Sequence, residues 1–322
     1  MRISIVLCTW NGERYLPPQL ESLLDQDRRP DEIVVNDDVS ADGTWALLQA
    51  FATRARALGI EVDLQRNPVN LGYVRNFADG LGRATGDLLF LCDQDDVWHP
   101  EKLARMEAEF VRRPGLGLLH TDARLVDADG GDLGCGLFEA LEMTPEEIEA
   151  EHAGRAFEVQ LRRNTVTGAA AALRRALLPG VLPVPEGWVH DEWLALALST
   201  RAQVDCLEWA SIDYRQHGGN QIGIRRRSAS EKLFDPRVDK RDFMDRVASR
   251  LEHVLATQPG LGLQPAQLEE LAGKAAHARF RAGLPRSAAR RVPAVLREAR
   301  SGRYRRFSSG LRSIASDLVD LN

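Results

Sequence analysis

Short β-branched apolar runs alternate with helical periodicity through the first third of the chain, the arrangement of successive βαβ units and a mostly parallel sheet. Ile3 to Cys8 predicts a buried strand. A helix is expected from about Glu13 to Gln26, with Pro17 and Pro18 tolerated near its first turn and Leu16, Leu20, Leu23 and Leu24 on one face. Ile33 to Asn36 predicts the second strand, and Asp42 caps a helix carrying Trp45, Leu47, Leu48 and Phe51. Glu61 to Arg66 is the third strand, Asn67 to Gly72 a loop and Tyr73 to Ala84 a helix. Leu88 to Cys92 is the fourth strand and runs into a cluster of acids.

Beyond it, Pro100 opens a helix to about Val111, and Leu116 to Val126 returns as a strand before a turn at Asp127 to Gly131. Residues 133 to 160 have no clear period and read as an insertion. Thr165 to Leu173 predicts a strand, Trp188 to Ser199 a helix, and Gln203 to Tyr214 one or two short strands. From Ser228 onward the period is helical throughout, which puts a boundary near 225.

Composition narrows the class. With 44% apolar and 28% charged residues the 322-residue chain can fill a core, and no stretch approaches the roughly 18 apolar residues of a membrane span. The opening apolar run is too short for a secretory signal, so a cytoplasmic chain is expected. Cys8, Cys92, Cys135 and Cys206 are widely spaced, the pattern of reduced packing residues rather than a disulfide framework or zinc knuckle. The net charge of −5 hides an asymmetry: residues 277 to 322 carry eleven arginines against Glu298, Asp317 and Asp320, so that segment is +8 and the remainder −13. Such a tail suits an anionic partner or a solvated helical face. It lacks the regularly spaced aromatics that would favour nucleic acid.

The sharpest chemical signal is Cys92-Asp93-Gln94-Asp95-Asp96, three carboxylates directly after an apolar strand. Carboxylates crowd together where a cation neutralises them, and hard oxygen ligands at the C-terminal edge of a strand suit Mg²⁺ or Mn²⁺ holding a diphosphate. A solvated acidic turn capping the next helix is the plain alternative. A second acidic strand end, Asn36-Asp37-Asp38-Val39-Ser40, offers Asp37 or Asp38 to a nucleobase N–H or a ribose hydroxyl, beside ordinary turn and cap roles. The first loop, Cys8-Thr9-Trp10-Asn11-Gly12, has neither GxGxxG nor GxxxxGK[ST], which removes dinucleotide oxidoreductases and P-loop NTPases. Trp98 and Trp193 could stack on sugar faces, although aromatics at these spacings usually belong to the core.

Taken in order, these stretches resemble a family 2 glycosyltransferase with the GT-A fold, within its rhamnosyltransferase-like subgroup. The matching residues are Ile3 to Gly12, Asn36 to Ser40, Asn70-Leu71-Gly72 with Arg75-Asn76-Phe77, and Cys92 to Trp98. Thr167-Gly168, His190-Asp191-Glu192-Trp193 and Tyr214 to Asn220 complete the set, which covers about residues 1 to 223. The resemblance implies an α/β GT-A catalytic domain over 1–225, with a nucleotide-sugar half to about 125 and an acceptor half from about 126, then an Arg-rich helical extension over 226–322. It also implies site roles. Thr9, Asn11, Asp38, Asp37, Arg75, Asp93 and Gln94 would bind the donor, with Arg75 near its diphosphate. Asp93, Asp95 and Asp96 would share ribose hydrogen bonding and metal coordination, and His217 would reach the metal or the diphosphate, or simply make a loop hydrogen bond.

Asp191 corresponds to the catalytic base, with Glu192 beside it as the alternative. In an inverting displacement an acceptor hydroxyl attacks the anomeric carbon opposite the leaving diphosphate and loses its proton as the bond forms, so a base must stand across the sugar from the metal. The expected donor is a dTDP- or UDP-sugar, rhamnose within the subgroup, and the expected acceptor a glycan or lipid-linked hydroxyl. The processive Q-x-x-R-W helix is absent, so one or a few sugars would be added. A lipid-linked acceptor would place the enzyme peripherally on the inner face of the plasma membrane, with Leu284, Val292, Val295, Leu296, Phe307, Leu311 and Ile314 as its apolar face. The competing readings are a sugar nucleotidyltransferase and a silent nucleotide-sugar-binding scaffold.

Overall fold

The computed structural model describes residues 1–218, 239–257 and 259–319. The expected boundary near 225 and the end of the Tyr214 to Asn220 motif, Gly219 and Asn220, lie outside the described residues.

The first βαβ units form as the periodicity predicts: β1 (Ile3–Thr9), α1 (Leu16–Leu24), β2 (Glu32–Asp37), α2 (Thr44–Ala57), β3 (Glu61–Arg66), α3 (Tyr73–Arg83) and β4 (Leu88–Cys92). Helix α1 is shorter than expected, because residues 13–15 form the turn that Pro17 and Pro18 follow into the first helical turn. Then come β5 (Val97–Trp98), α4 (Lys102–Arg112), β6 (Leu116–Val126), β7 (Asp132–Gly136), α5 (Leu137–Ala140), α6 (Pro145–His152) and α7 (Ala156–Arg162). The stretch 133–160, read as an insertion, therefore holds a strand and three helices. Its signals are local, such as the capping box in which Thr144 and Glu147 each satisfy the other's backbone N–H.

Strand β8 (Ala171–Arg174) begins six residues later than expected, since Gly168–Ala170 takes a 3₁₀ turn. Helix α8 (His190–Ser199) and β9 (Gln203–Arg215), one long strand rather than two short ones, finish the sheet. The C-terminal helices are α9 (Lys240–Thr257), α10 (Pro265–Ala282), α11 (Ala288–Arg300), α12 (Arg303–Phe307) and α13 (Leu311–Val319).

The strands form one sheet in the order β3-β2-β1-β4-β8-β6-β9-β5, with β7 beside β6. The part β3-β2-β1-β4 is parallel, and the sheet becomes mixed beyond it because β8 runs antiparallel to both β4 and β6. Pleat alternation sends Ile3, Ile5 and Leu7 into the core under α1, α2 and α4, and Val6 and Cys8 into the core on the other face. That second core also takes Val247, Leu251, Leu271 and Phe307 from the C-terminal helices, so the extension shares its interior with the sheet.

This packing corrects the expected lipid-facing stripe. Leu284, Val295 and Phe307 are buried, whereas Val292, Leu296 and Leu311 are exposed. No helix of the described residues is long and apolar enough to cross a membrane. Trp98 and Trp193 are core residues, and Cys8, Cys92, Cys135 and Cys206 are free thiols.

Candidate active site

Parallel register gathers the acidic strand ends. Thr9 pairs with Asp37 across β1 and β2, and Leu7 with Cys92 across β1 and β4, so the loops that start at residues 10, 38 and 93 leave the same edge of the sheet. That edge opens into a cleft of about 1530 Å³. Its walls include Thr9, Asn11, Asp38, Asp93, Gln94 and Asp95 from the parallel half, and Gly168, Asp191, Glu192 and His217 from the other. Asp93 and Asp95 thus share a cavity with Asp191, almost a hundred residues away.

The first loop is held tightly. Trp10 N–H donates to Gln94 Oε1 at 2.8 Å, and Gln94 Nε2 donates back to Trp10 O at 3.1 Å. The contact leaves no room at Gly12, where a Cβ would stand 2.3 Å from Gln94 Oε1. Asn11, at φ 48, receives Ala41 N–H on Oδ1 at 2.7 Å and donates its own N–H to Ser40 Oγ at 2.9 Å. Thr9 Oγ1 donates to Asp37 Oδ1 at 3.2 Å.

Neighbouring Asp37 and Asp38 point in opposite directions. Asp37 is fully buried, paired with Arg66 Nε at 3.1 Å, and stays outside the cleft lining. Asp38 lines the cleft and fixes the 67–72 loop, accepting Leu71 N–H at 2.8 Å and Gly72 N–H at 2.9 Å. Gly72 meets it at φ 76, a conformation that side chains rarely adopt.

Two further expectations are corrected. Arg75 is exposed and outside the cleft, because helical geometry places it about 200° around α3 from the cleft-lining Tyr73, with Asn76 and Phe77 on the inner side. Asp96 is buried behind the cleft, where its Oδ1 accepts the Arg215 N–H at 3.0 Å and its Oδ2 has no partner among the described residues. It shapes the turn from below rather than facing a ligand.

Burial and mutual repulsion perturb the acids. Asp93 is pushed up to about 7 by burial and by the charges of Asp95 and Asp191, and Asp96 is pushed well above its ordinary range by burial and by Asp95 and Asp93. Burial also raises Asp95, partly offset by His217, whose Nε2 lies 2.8 Å from Asp95 Oδ2. Asp93 and Asp95 are therefore hard oxygen donors in one cleft whose charges act on each other, where a divalent cation would relieve their repulsion, and their chemistry fits Mg²⁺ or Mn²⁺.

Asp191, in the first turn of α8, is pushed up to about 6 by burial, opposed by hydrogen bonds from the Gly168 N–H at 3.0 Å and the Glu192 N–H at 2.6 Å. A carboxylate near that value is ionised at neutral pH yet basic enough to take a hydroxyl proton. Next to it His190 stacks on Phe77 with ring centroids 4.2 Å apart, and burial pushes it down to about 3, so it is a neutral wall.

The sequence reading missed several cleft residues. Tyr15 stacks on His217 at 4.3 Å, which fixes the imidazole that reaches Asp95. Phe243 and Arg250 come from α9, in the extension, and Arg250 grips Glu192 with bonds of 2.7 and 2.5 Å. No local signal marks them, since their proximity arises from α9 packing beside α8. Tyr15, following directly on the first loop, was the one position within reach of a motif argument.

Residues 4–125 match the family described as Glycosyl transferase family 2. An uncharacterized glycosyltransferase of Nostoc sp. is 33% identical over 132 residues, 41% of this chain and 39% of that protein. The abequosyltransferase RfbV of Salmonella typhimurium is 28% identical over 141 residues, 43% of this chain and 39% of that protein. The chain thus spans about two fifths of the length of these curated relatives. Among solved structures, S. aureus TarS 1–349 in complex with UDP-GlcNAc superposes with a TM-score of 0.60 at 17% identity, covering 99% of this chain and 89% of that one. The mannosyltransferase PcManGT of Pyrobaculum calidifontis, in complex with GDP-Man and Mn²⁺, gives 0.55 at 17% identity over 99% and 86%. Both likenesses establish the fold, a GT-A-like sheet flanked by helices.

Proposed function

Taking residues 4–125 as the family 2 glycosyltransferase domain they match, we propose that this chain transfers a sugar from a nucleoside diphosphate to an acceptor hydroxyl, in one displacement with inversion. The single observation that carries the reading is the shared cleft, which Asp93, Asp95 and Asp191 all line.

In this account Thr9, Asn11 and Asp38 bound the nucleoside end of the cleft, with Gln94 holding the loop that carries Asn11. Asp93 and Asp95 would hold a divalent cation, which when bound would supply positive charge to a departing diphosphate. His217, steadied by Tyr15, orients Asp95 or turns to the diphosphate. Asp191 accepts the acceptor's proton, and the N–H groups of Gly168 and Glu192 keep its carboxylate aimed into the cleft. The proposed acceptor is a hydroxyl of a surface glycan or its lipid-linked precursor at the inner face of the plasma membrane, and rhamnose is the sugar that the subgroup resemblance favours. The complexes of UDP-GlcNAc with TarS and of GDP-Man and Mn²⁺ with PcManGT support a nucleotide-sugar donor and a cation for this fold.

A panel of UDP-, dTDP- and GDP-sugars, scored by thermal shift with and without Mn²⁺ and then by slow donor hydrolysis, tests the reading. A cation-dependent shift with one nucleotide class is expected, abolished in Asp95→Ala. Absence of any nucleotide response, or full transfer by Asp191→Asn, would overturn it.

A further inference from the structure

The C-terminal helices sort their charges by side. Within residues 277–319 the acids are Glu298 and Asp317, and both are buried. Glu298 Oε1 lies 2.8 Å from His277 Nδ1, while Asp317 receives Arg281 at 2.8 and 3.0 Å and the Tyr304 hydroxyl at 2.6 Å. Arg286, Arg290, Arg297 and Arg300 are exposed, and none of them forms an ion pair among the described residues.

Helical geometry shows how this separation arises. Along α11 the buried positions Arg291, Val295 and Glu298 recur at i, i+4 and i+7 and fix the inward side. Val292 and Leu296, 37% and 45% exposed, fall about 100–140° away from Arg291, and Arg300, Arg297 and Arg290 follow at about 180–260°. The outward side is thus an apolar strip beside a cationic strip, without an acid. Leu311, 84% exposed at the start of α13, adds a further apolar residue to the helices' surface.

We propose that the outward face of α11, carrying Arg290, Arg297 and Arg300 beside Val292 and Leu296, with Arg286 just before the helix, docks on an anionic lipid bilayer. Guanidinium groups would meet lipid phosphates while the two aliphatic side chains enter the headgroup boundary. Single-stranded nucleic acid is less well served, because Tyr304 and Phe307 are buried and give bases nothing to stack on. The chain's acidic remainder is repelled by the same lipid, which sets the orientation. The inference stands apart from the reading of the cleft, whose lining includes none of these residues.

Co-sedimentation of the full chain with phosphatidylcholine vesicles, with and without phosphatidylglycerol, tests it. Binding is expected only to the phosphatidylglycerol vesicles, and to fall with added salt. Replacing Arg290, Arg297 and Arg300 together by Gln should weaken it on the order of a hundredfold, and replacing them by Lys should largely keep it. All three side chains are exposed, so a matching thermal midpoint establishes that the variants are folded. Equal binding by the Gln variant, no binding by the native chain, or an arginine-dependent preference for a single-stranded oligonucleotide or for a second copy of the chain would each overturn the proposal.

Discussion

Arg250 of α9 closes on Glu192 of α8 through two hydrogen bonds, and its guanidinium also lies 4.3 Å from the centre of the Trp188 ring. A residue of the C-terminal extension thereby clamps the turn that carries Asp191. Truncation to Arg250→Ala would strand the half-buried Glu192 charge beside Asp191. Stability should fall by about 1–3 kcal/mol, read by urea denaturation. Transfer should fall more than donor affinity does. Equal stability and turnover in the variant would show that the clamp has no role.

If Asp191 is the base as proposed, it ties function to stability with opposite signs. Its value of about 6 lies above the unfolded value of about 3.9, so burial disfavours the ionised form in the folded state. Between those values the folded chain binds the extra proton, and stability declines as pH rises; above about pH 6 the full penalty is present. Asp191→Asn should therefore abolish transfer, retain the donor, and stabilise the fold by about 1–3 kcal/mol above about pH 6, a gain that vanishes below about pH 4. Native turnover should fall as pH drops through about 6. Denaturation curves and rate profiles across pH check both halves.

Asp95 and Arg75 separate the cleft from the surface. Asp95→Ala removes a cleft carboxylate and should weaken cation-dependent donor binding by about ten- to a hundredfold. Arg75→Ala alters an exposed position outside the cleft and should change that affinity less than about threefold. Calorimetric titration of the two variants against the same nucleotide decides, and a large loss in Arg75→Ala would return that residue to the donor site.

Gly168 lies tightly against His190, the neighbour of Asp191. A Cβ there would stand 3.0 Å from His190 Nε2 and 3.6 Å from Asp191 Cβ. Gly168→Ala should press on His190 and through it shift Asp191, the proposed base, so turnover should drop by about tenfold with donor affinity little changed. Equal turnover would mean that the neighbours give way without moving Asp191.

Much of the cleft's parallel-strand side is legible from local pattern. The apolar run of β4 has to end where Asp93 begins, and the parallel βαβ units before it bring the ends of β1, β2 and β4 to one edge. Asp37 against Asp38, or Asp95 against Asp96, is a different matter. Adjacent carboxylates are chemically alike, and which one faces the cleft depends on partners such as Arg66 and the Arg215 N–H that lie far along the chain.

By itself, then, the amino-acid order determined the alternation of strands and helices, the acid-tipped strand ends and the charge excess of the last helices, because these follow from side-chain period and composition within a few residues. Packing alone decided that Arg250 and Phe243 line the cleft, that Arg75 does not, and that Glu298 and Asp317 are buried while Arg286, Arg290, Arg297 and Arg300 stay exposed. Those outcomes depend on where one helix rests against another, and that position is fixed by the summed burial of many distant side chains rather than by any neighbour in sequence.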